Sequence, residues 1–220
     1  MEKIHIKKKF DRDFLSVLIV SLFTLILIGT RNPPFLKGEE NPLENRVEKL
    51  KSFREKRDRF FKEDPNSPLK EFDRKNFKGL RYFPIDLRYA MVGFIKPYSD
   101  SKSLYVYLPT NKGRDKKYVR YGYFQFKWEG REYVLQVYRP LGGGDLFLPF
   151  KDKTSGKETF PDGRYLPIET MPDGKVLIDF NRASNPFCEY NEKYLCPFAP
   201  QENWLPIEIR AGEKRYRLSQ

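Results

Sequence analysis

The segment "NPFCEYNEKYLCP" holds the only two cysteines of the chain, Cys188 and Cys196, eight positions apart. A common zinc site needs about four Cys or His ligands, and no histidine lies near this pair. Closing the loop between the two cysteines with a disulfide would stabilise the fold by about 2.5 kcal/mol in the loop-entropy model. We therefore predict a disulfide. A reactive thiol pair, two reduced structural thiols and a metal site are the alternatives.

Histidine chemistry is excluded from most of the chain, because the single histidine is His5, close to the N-terminus. Ser-His-Asp and Cys-His catalytic arrangements therefore cannot form in the main domain. A proton transfer near neutral pH would need a carboxylate with a shifted pKa, a thiol or a tyrosine. The sequence assigns no catalytic residue, no metal ligands and no cofactor.

A second candidate site is polar and centres on one arginine. A guanidinium offers five donors in a rigid fork, which suits a carboxylate or phosphate group. The predicted ligand-binding residues are Arg164, Asp152, Glu158, Asp179, Asn181 and Tyr190. Two alternatives remain open, namely that the Asp and Asn side chains only cap turns and that the arginine forms an ordinary structural ion pair.

The composition describes a folded but basic protein. Of the 220 residues, 39% are hydrophobic, which is enough for a packed core, and the formal net charge is +12. Such a charge suits nucleic acid or an anionic membrane surface as a partner. The chain contains no recognised nucleic-acid motif, so nucleic acid is not the expected partner.

The first part of the chain predicts a membrane anchor. Residues 1–13 form a basic tail, and residues 14–30 contain no charged residue. As a helix this segment spans about 25 Å, near the lower limit for crossing a bilayer. We predict an uncleaved transmembrane anchor, with a cleaved signal peptide and a buried helix as alternatives. The following chain would then lie outside the cytoplasm, in a periplasmic or cell-surface location that permits disulfides.

Beyond a Pro-rich linker at residues 31–42, a helix is predicted at residues 43–62. Its apolar residues approximate one face, and between residues 46 and 62 basic residues outnumber acidic ones eight to three. This charge predicts either contact with anionic lipid or an ordinary solvated face on a helix packed against the domain.

The rest of a single domain at residues 43–220 is predicted to be mainly β. The clearest unit is a hairpin at residues 118–139, in which Glu129 and Gly130 form the turn and Lys127 lies opposite Glu132. Further strands are predicted at 103–108, 146–150, 164–169, 175–181 and 204–210. Short strands with short links favour an antiparallel β-sandwich or barrel-like domain with the one amphipathic helix outside it.

Several blocks of sequence resemble a known family. They are "DPNSPL" at 64–69, "FKGLRYFPID" at 77–86, "LFLPFKDKTSGKETFPDGRYLPIE" at 146–169 and "IDFNRASNPFCEYNEKYLCPFAPQENWLPIEIRAGEK" at 178–214. Together they resemble the uncharacterised microbial family called domain of unknown function 1684, over roughly residues 50–214. The resemblance implies a single domain and no particular activity.

These observations favour a membrane-anchored, extracytoplasmic, β-rich binding or interaction module for a polar or anionic ligand. The alternative is a histidine-free hydrolase that uses Asp152, Glu158 or Asp179 together with Arg164. An enzyme requires a pocket on which carboxylates converge, whereas a binding module needs only a groove or patch. The sequence leaves the oligomeric state open.

Overall fold

The structure is a computed structural model that describes residues 42–99, 104–171 and 173–216. All of these residues belong to one compact unit, Glu40–Gln220. The predicted basic tail, the predicted transmembrane segment at residues 14–30 and nearly all of the predicted linker lie outside the described residues. Within the described residues, no helix is both long and apolar enough to cross a bilayer.

The chain begins with the long helix α1 (Pro42–Glu63), where the sequence predicted one. Its apolar face is buried at Leu50 and Phe61, which are 1% and 0% exposed. The ring of Phe61 contacts that of Tyr190 edge-on, with 4.6 Å between centroids. Aromatic contacts of this kind add to the hydrophobic burial that holds an amphipathic helix against its domain. A short helix, α2 (Glu71–Lys75), follows.

The described residues also contain nine strands, along with short 3₁₀ turns. They are β1 (Ala90–Gly93), β2 (Ile95–Pro97), β3 (Tyr105–Leu108), β4 (Lys116–Trp128), β5 (Arg131–Pro140), β6 (Leu148–Phe150), β7 (Arg164–Leu166), β8 (Ile168–Thr170) and β9 (Val176–Asp179). Every pairing is antiparallel: β1-β9-β8 form one sheet, β2-β4-β3 with β5 on β4 form a second, and β6-β7 form a third. The predicted β-rich, antiparallel class is confirmed at this level.

The β4-β5 hairpin has the predicted register, with Lys127 opposite Glu132 and Phe124 opposite Leu135. Both turn residues adopt positive φ, 48° at Glu129 and 77° at Gly130. Two successive positive φ values give the turn whose twist matches that of the flanking strands. The inward side chains of this hairpin pack with residues from β6, β9 and the C-terminal segment to form the main core, which includes Phe124, Phe126, Leu135, Val137, Phe150, Ile178, Phe180 and Ile209.

Two sequence expectations need correction, and two strands were missed. Residues 204–210, all described, form no strand. Leu205 and Ile209 are buried, but Pro206 has no backbone N–H to donate to a neighbouring strand. The segment is held by single backbone hydrogen bonds, such as that from Leu205 N to Lys151 O at 2.7 Å. The strand predicted at 164–169 is two strands separated at Pro167. Strands β1 and β2 were not predicted, since their short sequences lack an alternating pattern.

Candidate functional site

Arg164 begins β7 and is almost fully buried, with 1% of its surface exposed. Its Nη2 donates to Asp152 Oδ2 at 2.8 Å and to the carbonyl of Ile209 at 3.0 Å, and its Nη1 donates to the carbonyl of Ala211. Burial lowers the pKa of Arg164, and Asp152 partly offsets this effect. The guanidinium therefore ties the C-terminal segment to β7, as the ion-pair alternative required, and does not face an open pocket.

The two carboxylates predicted beside Arg164 are also engaged. Asp152 is buried, and its Oδ1 accepts hydrogen bonds from the backbone and hydroxyl of Thr154. Glu158 lies at the surface, with its oxygens paired to Arg210 at 3.0 Å and Lys214 at 3.8 Å. The structure thus offers no free pair of carboxylates here for the hydrolase interpretation.

Asp179 and Asn181 lie at the end of β9 and each fastens a distant segment. Asp179 accepts a hydrogen bond from Arg46 Nε of α1 at 3.0 Å, across 133 positions of sequence. The amide of Asn181 pairs with the backbone of Asp86, donating to its carbonyl at 2.8 Å and accepting from its N–H at 3.0 Å. Neither residue is among the described partners of Arg164, so the predicted polar pocket is not assembled.

Tyr190 belongs to a different polar cluster, which we call the acid network: Glu213, Arg57, Asn185 and Tyr190. Glu213 is fully buried and pairs with Arg57 of α1 at 3.1 Å. It also accepts hydrogen bonds from the backbone and side-chain amides of Asn185 at 3.2 and 3.1 Å, and from the Tyr190 hydroxyl. These bonds join α1, the loop that contains Asn185 and Tyr190, and the C-terminal segment at one buried carboxylate.

Glu213 loses its proton closer to neutral pH than an ordinary glutamate does. Burial raises the pKa of Glu213 to about 7, although Arg57 and the amides of Asn185 lower it. A carboxylic acid of this kind changes its charge in the physiological range. The net charge of the Arg57–Glu213 pair therefore differs on the two sides of pH 7.

A pocket of about 390 Å³ lies beside the acid network. Its walls combine aromatic and apolar groups with a few polar ones, as is usual for small-molecule sites. We call it the thiol-loop pocket; it is lined by Arg57, Tyr165, Ser184, Asn185, Pro186, Phe187, Tyr194, Leu195, Cys196 and Pro197.

The loop that forms one wall of this pocket is held from outside by the segment around Asn111. The Asn111 side chain donates from Nδ2 to the carbonyl of Tyr194 at 2.9 Å and accepts the N–H of Cys196 at 2.9 Å through Oδ1. The backbone adds the bonds from Asn111 N to Cys196 O at 3.3 Å and from Phe198 N to Pro109 O at 2.8 Å, so the loop finds partners for its backbone groups without a sheet of its own. On the opposite wall, Tyr165 and Ser184 exchange both backbone hydrogen bonds, at 2.8 and 3.0 Å.

Both cysteines are free in the structure, so the predicted disulfide is not present in it. They are nevertheless neighbours, because Cys196 Sγ accepts the backbone N–H of Cys188 at 3.2 Å. Cys196 is buried at the pocket wall and Cys188 is partly exposed. Among the described residues there is no group of three Cys, His, Asp or Glu side chains able to hold a metal ion.

Two polar atoms of the pocket wall, Asn185 Oδ1 and Arg57 Nε, lack a hydrogen-bond partner within the described part of the chain. Asn185 is 2% exposed and its Nδ2 donates to Glu213 and to the carbonyl of Lys214, whereas its Oδ1 accepts no hydrogen bond within the described part of the chain. A buried acceptor left unsatisfied costs about 1–3 kcal/mol. A donor group on a bound molecule would remove that cost.

Comparison with known proteins places the chain in a family. The sequence model of one family, described as "Protein of unknown function (DUF1684)", matches residues 75–214. The chain belongs to the DUF1684 family. This confirms the resemblance noted from the sequence blocks. No curated protein matches.

A solved relative of this DUF1684 chain has the same fold. It is the solution NMR structure of an uncharacterised protein from gene locus rrnAC0354 of Haloarcula marismortui. The two share 33% sequence identity with a TM-score of 0.59, and the match covers 78% of this chain and 95% of that one. The likeness extends the fold to an archaeal protein and assigns no activity.

Of the acid network of this DUF1684 domain, only Tyr190 was among the predicted ligand-binding residues; Arg57, Asn185 and Glu213 were not. Arg57 and Glu213 are 156 positions apart, so spacing alone carries no sign of their contact. Glu213 carried little sequence signal of its own. It is a single acidic residue directly after Gly212, whose φ is 77°.

Proposed function

We propose that this DUF1684 domain is a binding module for a small molecule with an apolar body and an anionic head, bound in the thiol-loop pocket. The observation that carries the proposal is Arg57 in the pocket wall, whose buried Nε has no hydrogen-bond acceptor within the described part of the chain and would be satisfied by an anionic oxygen. The aromatic rings of Tyr165, Phe187 and Tyr194 supply contact area for the apolar body.

The charge of the wall supports an anionic head group. Arg57 faces the pocket but shares its charge with Glu213 behind it. Below pH 7 Glu213 is mostly neutral, so the guanidinium charge is free to attract an anion. Above pH 7 Glu213 is mostly ionised and compensates that charge. Binding of an anion should therefore weaken as the pH rises through about 7.

The proposal keeps the membrane-anchored, extracytoplasmic placement. Its support is the sequence of residues 14–30 behind a basic tail. Protease added outside intact cells, with any outer membrane opened, should then digest residues 43–220. Full protection under those conditions would remove the placement and leave the pocket proposal unaffected.

Two matched glutamate substitutions test the pocket. Leu195 lies at the pocket rim and is 46% exposed, while Leu141 is 52% exposed and lies outside the pocket lining. With phenylpropionate as the probe, Leu195→Glu should weaken binding about five- to tenfold, which corresponds to about 1 kcal/mol of repulsion near a protein surface. Leu141→Glu should leave binding unchanged.

Isothermal titration of the full-length chain at pH 6 and pH 8 measures both effects. Equal weakening by the two glutamates would show that the probe responds to net charge and does not bind in the pocket. Failure of phenylpropionate and related aryl carboxylates to bind the unmodified chain at either pH would refute the anionic-ligand proposal.

A further inference from the structure

The two cysteines are neighbours, with Cys196 in the wall of the thiol-loop pocket and Cys188 beside it. Residues Phe187–Glu189 form a single 3₁₀ turn, which Tyr190 and Asn191 extend through N–H bonds to the carbonyl of Phe187, both 3.1 Å. The chain then returns, so that Cys196 lies against the backbone of Cys188. Because Asn111 holds the returning arm by two hydrogen bonds, the approach of the two cysteines is imposed by the fold.

The surroundings of the two sulfur atoms differ. The thiol of Cys188 is the largest cause that lowers the pKa of Cys196 to about 7, and backbone N–H groups of Cys188 and Phe187 add to it. The same interaction, together with burial, raises the pKa of Cys188. Near neutral pH, therefore, Cys196 carries the thiolate and Cys188 keeps its proton.

The two cysteines also differ in their access to the pocket. Cys196 is only 5% exposed to bulk solvent, yet it lines the pocket of about 390 Å³. A small molecule in the pocket therefore reaches the sulfur that is ready to attack. Cys188 lies outside the pocket lining but beside Cys196, where a second attack would come from.

We propose that Cys196 and Cys188 form a dithiol site that exchanges with a small organic disulfide bound in the thiol-loop pocket. This activity goes beyond the proposed ligand binding: it uses the same cavity but does not require an anionic ligand. The structure shows the two cysteines in the reduced form, and the exchange would convert them into the disulfide-bonded form.

The exchange proceeds in two balanced steps. The Cys196 thiolate attacks one sulfur of the disulfide RSSR, the S–S bond breaks, and a mixed disulfide Cys196–S–S–R forms as RS⁻ leaves. The Cys188 thiol then gives its proton to this RS⁻ and attacks the Cys196 sulfur, releasing a second RS⁻. The products are one intrachain disulfide, one RSH and one RS⁻, and two equivalents of a small thiol reverse the reaction.

The magnitude expected for the first step is modest. With a pKa of about 7, half of Cys196 is thiolate at pH 7, against about 3% for an ordinary thiol. The lower basicity reduces nucleophilicity about fivefold, so the net gain is only about threefold. The decisive readouts are thus which sulfur reacts first and whether the second step follows.

The test uses the reduced full-length chain and bis(2-hydroxyethyl) disulfide, a small neutral probe, followed by intact-mass and peptide mass spectrometry. The unmodified chain should end two hydrogens lighter, with Cys188 bridged to Cys196. Cys188→Ser should stop at one hydroxyethylthio adduct on Cys196, with a rate that is half-maximal near pH 7. Cys188→Ala, which removes the donor to Cys196, should shift this midpoint to higher pH.

Cys196→Ser should react several-fold more slowly than Cys188→Ser, because Cys188 lies outside the pocket lining and burial still raises the pKa of its thiol. If this variant does not fold, the pH at which the rate of adduct formation in Cys188→Ser is half-maximal decides alone. Adduct formation first at Cys188, or an unmodified chain that accumulates adducts without bridging, would overturn the proposal. If Leu195→Glu lost phenylpropionate binding but still formed the Cys188–Cys196 disulfide, the exchange proposal would stand independently of the binding proposal.

Discussion

Replacing Arg164 with alanine tests the assignment of this residue to the framework of the fold. The substitution leaves Asp152 as an unpaired carboxylate inside the protein, since the side chain of Asp152 is 0% exposed. It also removes the donors to the carbonyls of Ile209 and Ala211. Removing one partner of a buried ion pair costs about 3–5 kcal/mol.

The expected change in melting temperature follows from that energy. For a domain of this size, 1 kcal/mol corresponds to about 2–4 °C, so Arg164→Ala should lower the melting temperature by roughly 6–20 °C. A matched control is Arg210→Ala, which breaks a surface pair with Glu158 in which the arginine side chain is 54% exposed. Exposed pairs contribute about 0–1 kcal/mol, so this control should unfold nearly as the unmodified chain does.

Thermal and urea denaturation of the full-length chain, followed by circular dichroism, measure the melting temperature and the free energy of unfolding of both variants. A double variant, Arg164→Met with Asp152→Asn, should recover part of the loss because no charge is then left buried. If Arg164→Ala were as stable as Arg210→Ala but no longer bound a ligand, the structural role would be refuted and the sequence-based site restored.

Two further predictions concern stability. Because the folded-state pKa of Glu213 is raised from about 4.5 to about 7, its contribution is fully present below pH 4.5 and is lost as the pH rises through 7. The unmodified chain should therefore lose up to about 3 kcal/mol relative to Glu213→Gln between pH 5 and pH 8 in urea titrations, and a constant difference would contradict the raised pKa. Glu129 has a φ of 48°, so Glu129→Asn should stabilise the hairpin by about 0.5 kcal/mol and Glu129→Val should destabilise it; the reverse order would contradict the turn assignment.

The parts of the fold that the sequence predicted are those determined by local pattern. The β4-β5 register follows from alternation and a two-residue turn, and a slip of one residue would have exposed Phe124. The failure at residues 204–210 has a physical reason: an alternating apolar pattern describes which side chains are buried but does not supply a neighbouring strand to pair with.

The candidate site was less predictable because it depends on long-range pairing of charges. Arg164, Asp152 and Asp179 are polar residues that the sequence marked as functional, yet each is buried with a partner and stabilises the fold. Whether an arginine contacts a ligand or a distant carbonyl depends on packing between segments that spacing does not reveal. The two cysteines lie against each other, because two cysteines eight positions apart can meet within one loop, but the predicted disulfide between them is not present.

The basic helix α1 connects these observations. Its charge suggested either lipid contact or a solvated face, but Arg46 and Arg57 turn inward and pair with the buried Asp179 and Glu213. Arg57 is at once an anchor of the helix and part of the wall of the thiol-loop pocket. An anion that attracts Arg57 weakens its hold on Glu213, which favours the protonated acid. Ligand binding should therefore take up protons near pH 7 and be linked energetically to the docking of α1.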